Sequence, residues 1–368
     1  MQQQQRCFTV GVEEEYQIID PETRSLRQRA EAILSRAESA PVNVEAELQQ
    51  SQIEIGTPVC DDLAQVRAEL VRSRRAVSTA AAQEGMWIGA AGSHPLADPA
   101  HGAITPKERY LGMAKDYGQL AREQIVFGYH VHVGIDDREA AVQTMNRMRG
   151  WLSPMLALGG SSPFWMGRDT GYSSYRTDVW GRWPMAGSPE VFKSRAEYED
   201  VIKLLVTTES IAEETRIYWD VRPSARFDTL EFRATDACMT VDEAVMIAGL
   251  ARALTRRCYE QAVRDEAIPV VRPELLRAAK WRAARYGLDA TLIDLHKHRS
   301  RPAFEVIHGW LTFLRPSLED NGDWEEISAL VQQTIDRGTG SARQRNAFGR
   351  GRRLEDVVDL VVAETGAG

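Results

Sequence analysis

Polar and apolar residues alternate from Phe8 to Ile19, with Phe8, Val10, Val12, Tyr16 and Ile18 on one face and Thr9, Gly11, Glu13, Glu15 and Gln17 on the other. That period predicts a half-buried strand. The same test places Ile53 and Ile55 opposite Gln52 and Glu54 within Gln50–Val59. Between Ile125 and Ile135 it sets Phe127, Tyr129, Val131, Val133 and Ile135 against Gly128, His130, His132 and Gly134. In Thr229–Thr235, Leu230, Phe232 and Ala234 oppose Thr229, Glu231, Arg233 and Thr235, and Arg216–Arg222 lies near enough to pair antiparallel with it. Met86–Ser93 reads as a short buried strand. Helical spacing begins near Ser25, resumes after Asp61 as N-cap with Leu63, Val66, Leu70 and Val77, and dominates beyond Thr240, with breaks at Pro273, Pro302, Pro316 and Gly338. Gly159–Pro189 is long for a loop without structure, which marks it as functional or disordered. The sum is an α+β chain, strands first and helices late, in one unit over residues 1–368 without repeats or linkers.

Four strands thus each carry a pair of polar side chains opposite a hydrophobic face. Solvated sheet faces usually mix Lys, Thr, Ser and Arg, whereas these hold Glu, His, Gln and Gly and no Lys. Two carboxylates about 4 Å apart repel by roughly 4 kcal/mol at an effective dielectric of about 20. Converging glutamates therefore need protons or cations, and an oxygen set completed by histidine suits Mg²⁺ or Mn²⁺ better than structural zinc. Glu14 stands apart, because the alternation puts it among the apolar residues. It requires an edge, a partner or a bulge, and the pattern does not choose among them.

Composition narrows the class. The 368 residues are 43% hydrophobic and 27% charged, enough for a sizeable core. A formal net charge of -8 argues against a nucleic-acid partner. The start MQQQQRCF has no apolar signal region and no apolar run approaches membrane length, so a cytoplasmic protein without membrane contact is expected. Cys7, Cys60, Cys238 and Cys258 lack metal-binding or disulfide spacing and read as buried or incidental thiols. The basic run Arg343–Arg353 reads as a solvated helix and turn, and Trp151, Trp165, Trp180 and Trp183 as packing for the long loop.

The stretches "GVEEEY", "ELQQSQIEIGTPV", "GYHVHVGI", "SSPFWMGRDTGYSSYRTD" and "YWDVRP" followed by "TLEFRATD" resemble the bacterial carboxylate-amine ligases grouped as glutamate-cysteine ligase type 2. The likeness runs from Phe8 to about Thr240 by motif and departs at Tyr218, where a tryptophan is common. The order of an ExE, a QxE, an HxH and an ExR strand is also similar to glutamine synthetase. This implies a curved antiparallel sheet whose concave face holds ATP, divalent metal and substrate, with helices on the other face and a helical C-terminal third. Carried over by position, Glu13, Glu15, Glu54, His130 and Glu231 fall on metal ligands, and Arg233 on a phosphate-contacting arginine. Glu47, seven residues before Glu54, has the wrong parity for a regular strand and joins only through a bulge.

The activity implied is carboxylate activation by ATP as an acyl phosphate, the γ-carboxylate of glutamate being the leading candidate, followed by attack of an amine such as cysteine. Its partners are small amino-acid substrates; a homodimer is left open. Arginines suit such chemistry. Arg176, in the "GYSSYR" loop, is a candidate catalytic clamp with Arg233, while His132 and Arg222 are candidate nucleotide contacts and Arg168 a weaker one. No GxxxxGK[ST] or GxSxG motif supports a P-loop or a protein nucleophile. The rival readings are a guanidino phosphotransferase and a non-enzymatic metal- or nucleotide-binding protein.

Overall fold

Every one of the alternating segments joins the same sheet. In the computed structural model, which describes residues 8–38 and 40–367, the strands are β1 (Val10–Ile19), β2 (Asn43–Ala46), β3 (Gln52–Gly56), β4 (Trp87–Gly89), β5 (Gly128–Gly134), β6 (Val221–Pro223) and β7 (Thr229–Asp236). They run β6–β7–β5–β1–β3–β2, all antiparallel, with β4 paired to the end of β1. Val12, Tyr16, Ile53, Val131, Val133 and Phe232 bury one face in the main core. Helices α1 (Leu63–Gln83), α2 (Arg138–Met148) and α3 (Val241–Val263) cover it. Helices α4 (Ala303–Asn321) and α5 (Trp324–Arg337) pack outside α3. Apolar almost all round, α3 is buried on most sides, as its position between sheet and outer helices requires. Thr240 and Glu243 close its N-terminus with a reciprocal capping box. Gly249 lets α1 and α5 approach, since a Cβ there would overlap Ile327 and lie 2.8 Å from Leu63.

Several expectations change. The first helix begins at Ala30 rather than near Ser25, because Leu26 still bridges to Ile19. Asp62, not Asp61, caps α1, accepting from the Gln65 amide at 2.8 Å. Pro316 does not break its helix: α4 runs through it, with Leu314, Ser317 and Leu318 buried around it. Packing there outweighs a proline cost of about 3 kcal/mol. A hairpin, Thr291–Asp294 with Arg299–Pro302, interrupts the helical C-terminal third. Arg343 is not solvated, because it lies in ion pairs with Glu243 and Glu364. Gly159–Pro189 is ordered and includes the short helix Tyr175–Trp180. Asp236 anchors it, accepting from Ser161 N (2.8 Å), Ser162 Oγ (2.7 Å) and Ser174 Oγ (2.6 Å). Trp165 does pack within that segment against Tyr175, but Trp151 stacks instead between His296 and Phe313. Cys60, Cys238 and Cys258 are buried free thiols, and Cys7 lies outside the described residues. Among the described residues no helix is long and apolar enough to cross a membrane.

Glu14 has found a partner. It points into the core with no exposed surface, 2.5 Å from Arg74 Nη2 on α1, and accepts from Tyr16 Oη at 2.6 Å. Arg74 also donates to the carbonyls of Cys238 (2.7 Å) and Met239 (2.9 Å), so one guanidinium ties β1, α1 and the start of α3 together. Replacing Glu14 leaves that cation buried without its carboxylate. Glu14→Ala is expected to cost about 3 to 5 kcal/mol in denaturant unfolding. A loss below about 1 kcal/mol would show the pair to be dispensable.

Candidate active site

The face opposite the core carries the charged residues, and strand register decides which ones meet. Across β1 and β5, Glu13 stands opposite His130 and Gly11 opposite His132. His132 stands opposite Glu231 of β7, and Glu231 opposite Arg222 of β6. On the other side of β1, Glu15 faces Glu54 of β3, which faces Glu45 of β2. Strand partners share a face, so six strands deliver one contiguous polar surface.

A cleft enclosing about 1070 Å³ of empty space, part of it open to solvent, lies over this surface. Its walls come from outside the central sheet: Tyr110 and Met113, Trp180 and Trp183, Tyr218, and the hairpin tip Ser224–Phe227. Glu13, Glu15, Glu54, His130, His132, Glu231, Arg222 and Arg233 all line it. Arg176 does not. It is buried beside the cleft on the same face of the sheet, packed over Gly128, where a Cβ would lie 2.5 Å from its Nη2 and 3.0 Å from His130 Nε2. Arg168 is exposed on a two-residue strand away from the cleft.

Two residues escaped the sequence reading. Glu47 lines the cleft beside Glu45, although its parity argued against it. The parity rule assumed one continuous strand, but a tight turn separates β2 from β3. Continued across that hairpin, the pairing of Glu45 with Glu54 brings Glu47 to the same face, opposite Gln52. Thr235 moves the other way. A register shift between Phe232 and Thr235 flips the alternation, so Thr235 pairs with Tyr129 on the core side and donates to its carbonyl at 3.2 Å.

The groups form two clusters that share Glu13. Ligand atoms of Glu13, His132 and Glu231 lie within 4.8 Å of one another, as do those of Glu13, Glu54 and His130. His130 Nδ1 is 3.0 Å from Glu13 Oε2, and His132 Nε2 is 3.4 Å from Glu13 Oε1. The buried Nε2 of His130 lacks a hydrogen-bond partner among the described residues, and that of His132 has only the long contact to Glu13. Burial pushes His130 down to about 4, so at neutral pH its ring is an uncharged donor set fit for a cation. Burial would raise Glu13, but hydrogen bonds from His130 and His132 outweigh it and hold Glu13 well below the usual carboxylate value.

Glu15 and Glu54 behave in the opposite way. Burial, then repulsion from Glu47, pushes Glu15 up to about 8. Burial and the neighbouring Glu13, Glu47 and Glu15 raise Glu54 well above its ordinary value, and burial raises Glu47. Such a set carries full charge only with cations among it. Unpartnered imidazole nitrogen, uncompensated carboxylates and an oxygen-rich donor set therefore fit one or more divalent ions such as Mg²⁺ or Mn²⁺.

Arginines bracket Glu231. Arg233 Nη1 forms a close ion pair with Glu231 Oε1, and Arg222 Nε reaches Glu231 Oε2 at 2.9 Å. Burial favours the neutral acid, yet these two cations hold Glu231 far below its usual value. Arg222 spends its remaining donors on the carbonyls of Thr215 (3.1 Å) and Ile217. Arg233 keeps Nε without a partner among the described residues, and its guanidinium lies 5.4 Å from the Trp180 ring centre. In the same wall Trp180 Nε1, Trp183 Nε1, Tyr218 Oη and Gln124 Oε1 are also buried without partners. Each such group costs about 1 to 3 kcal/mol if nothing satisfies it.

A family model described as glutamate-cysteine ligase family 2 (GCS2) matches residues 9–363. A relative from Frankia alni, provisionally named glutamate–cysteine ligase 2-2, is 42% identical over 372 residues, covering 97% of each chain. Another from Rhodopirellula baltica, provisionally named glutamate–cysteine ligase 2, is 40% identical over 363 residues, covering 97% of this chain and 96% of its own. Among solved structures, glutamate–cysteine ligase from Francisella tularensis in complex with AMP superimposes with a TM-score of 0.70 at 12% identity, covering 98% of this chain and 90% of that one. A bifunctional glutathione synthetase from Pasteurella multocida gives 0.69 at 16% identity, with 98% of this chain matched to 52% of that protein. At such identities the structural likeness concerns the fold.

Proposed function

The chain belongs to glutamate-cysteine ligase family 2, and from that membership and the cleft we propose that it is an ATP-dependent ligase joining a carboxylate to an amine through an acyl phosphate. The observation that carries this reading is the pair of Glu/His clusters sharing Glu13 on one cleft face, flanked by Arg222 and Arg233. The named activities of the relatives support it, as does the nucleotide bound by the Francisella ligase. The carboxylate is taken to be the γ-carboxylate of glutamate and the amine an amino acid such as cysteine.

Glu13, His132 and Glu231 would hold one divalent ion, Mg²⁺ or Mn²⁺, and Glu13, Glu54 and His130 another, with Glu15 across from Glu54. Bound there, such ions would offset the charge of a polyphosphate and of the group in transfer. Arg233, with a free Nε and a place in the cleft wall, binds the phosphoryl group. Arg222 orients Glu231, since its donors are already committed. Arg176, packed over Gly128 at the edge of the cleft but outside its lining, acts on the site through its charge, lowering Glu15. No protein nucleophile is needed, because the substrate carboxylate itself attacks the phosphoryl group.

Hydroxylamine tests this reading. Supplied with ATP, Mg²⁺ and glutamate, the protein is expected to yield a hydroxamate in proportion to the ADP released. ADP without hydroxamate, across glutamate and related acids, would point to a kinase or a simple ATPase.

A further inference from the structure

Arg233 sits where β7 departs from its regular ladder, and two residues outside the cleft lining hold its backbone there. Continuing the pairing of Val221 with Phe232 by one residue sets Asp220, just before β6, opposite Arg233. A pair in that place of an antiparallel ladder exchanges two backbone bonds. Here only one forms, from Arg233 N to Asp220 O at 2.8 Å. Asp220 N donates instead to Gly187 O at 2.8 Å, and Arg233 O is left to Arg176 Nη1 at 3.5 Å. On the other side of β7 the register with β5 shifts between Phe232 and Thr235, so neither neighbouring strand pins Arg233 by a regular ladder. Irregularities of this kind re-aim the side chain they carry.

A buried charge pair fixes the segment that takes the place of the ladder. Asp220 is only 3% exposed, its Oδ1 lies 2.5 Å from Lys280 Nζ of the helix Pro273–Tyr286, and its Oδ2 accepts from Ser188 Oγ at 3.4 Å. Neither Asp220 nor Lys280 lines the cleft. The path from them to the site is nonetheless short, running from the Lys280 ammonium to the Asp220 carboxylate, from the Asp220 carbonyl to the Arg233 amide, and from the Arg233 guanidinium to Glu231. We propose that Lys280, acting through Asp220, is a positioning residue for phosphoryl transfer: it holds the backbone irregularity that aims Arg233 into the cleft. The assignment rests on the ligase reading above and adds to it a residue from the helical C-terminal third. Misplacing a group that faces the reaction by about 1 Å costs on the order of a hundredfold in rate, so a tether on the backbone of Arg233 is felt in turnover without touching substrate.

A double-mutant cycle separates aiming from plain support. Lys280→Met keeps the aliphatic stem and removes the ammonium, while Asp220→Asn keeps the size and the backbone carbonyl and removes the charge. Each should lower kcat for ADP release, measured with ATP, Mg²⁺ and glutamate, at least about fivefold and leave the KM for ATP within about twofold. Lys280→Arg should recover most of the loss. In Arg233→Ala no guanidinium remains to be aimed, so there the same two substitutions should change kcat by less than about twofold. Asp220→Asn, nearly isosteric, carries the test alone if Lys280→Met does not fold. Loss of the same factor in both backgrounds would overturn the assignment, and so would a lowered melting temperature with kcat unchanged. The hydroxylamine trap decides the ligase reading separately: coupling between Lys280 and Arg233 without a hydroxamate keeps the positioning role and removes the ligase reading, and a hydroxamate without coupling does the reverse.

Discussion

Glu13→Gln is expected to lower turnover at least about a hundredfold, or about 2.7 kcal/mol in the barrier, with the fold intact. Glu13 is the one side chain common to both Glu/His clusters, and glutamine keeps its size while removing the charge both ions would use. Glu54→Gln and Glu231→Gln each touch one cluster and should cost at least about tenfold, near 1.4 kcal/mol. The metal-free protein should respond in the opposite sense. A carboxyl raised in the folded state, such as Glu15 at about 8, contributes stability below its ordinary value of 4.5 and loses it as pH rises through about 8. In excess chelator, Glu15→Gln and Glu54→Gln should therefore raise the melting temperature more at pH 9 than at pH 5. Full turnover in Glu13→Gln, or of the wild type in excess chelator, would remove the cations from the account.

Arg233→Ala should cut turnover at least about a hundredfold and Arg233→Lys at least about tenfold, measured at saturating substrates. An ion pair on an open sheet surface contributes about 0 to 1 kcal/mol to stability and nothing to catalysis. Arg233 is not on such a surface, with a side chain only 11% exposed in the cleft wall against Trp180. A preorganised cation facing developing charge contributes several kcal/mol to the barrier. Lysine keeps the charge but loses the planar fork, hence the intermediate effect. Stability should change little, since Arg222 still neutralises Glu231. If both variants keep near wild-type turnover, Arg233 is a structural partner of Glu231 alone.

The site was legible where side chains two apart on a regular strand share a face. Glu13, Glu15, Glu54, His130, His132 and Glu231 were placed by that rule, and each does line the cleft. The rule fails wherever the backbone changes direction or register. Glu47 was hidden by the turn between β2 and β3, and Thr235 was misassigned because a bulge inverts the alternation after Phe232. Partners distant in sequence were equally out of reach: Arg74 is sixty residues from Glu14, and no period links them. Pro316 shows the reverse case, a strong local signal overridden by packing against α3. Trp183 and Gln124 carry no strand-period signal at all, because they reach the cleft from connecting segments around the sheet.

Oxygen transfer tests the central claim most directly. In the proposed reaction a carboxylate oxygen attacks the γ-phosphorus of ATP, ADP leaves, and the amine then expels phosphate that still carries that oxygen. With glutamate labelled by ¹⁸O in its γ-carboxylate, each phosphate released during amide formation should contain one labelled oxygen by mass spectrometry. Phosphate without label, formed while the amide accumulates, would contradict the acyl phosphate and with it the use of this cleft for carboxylate activation.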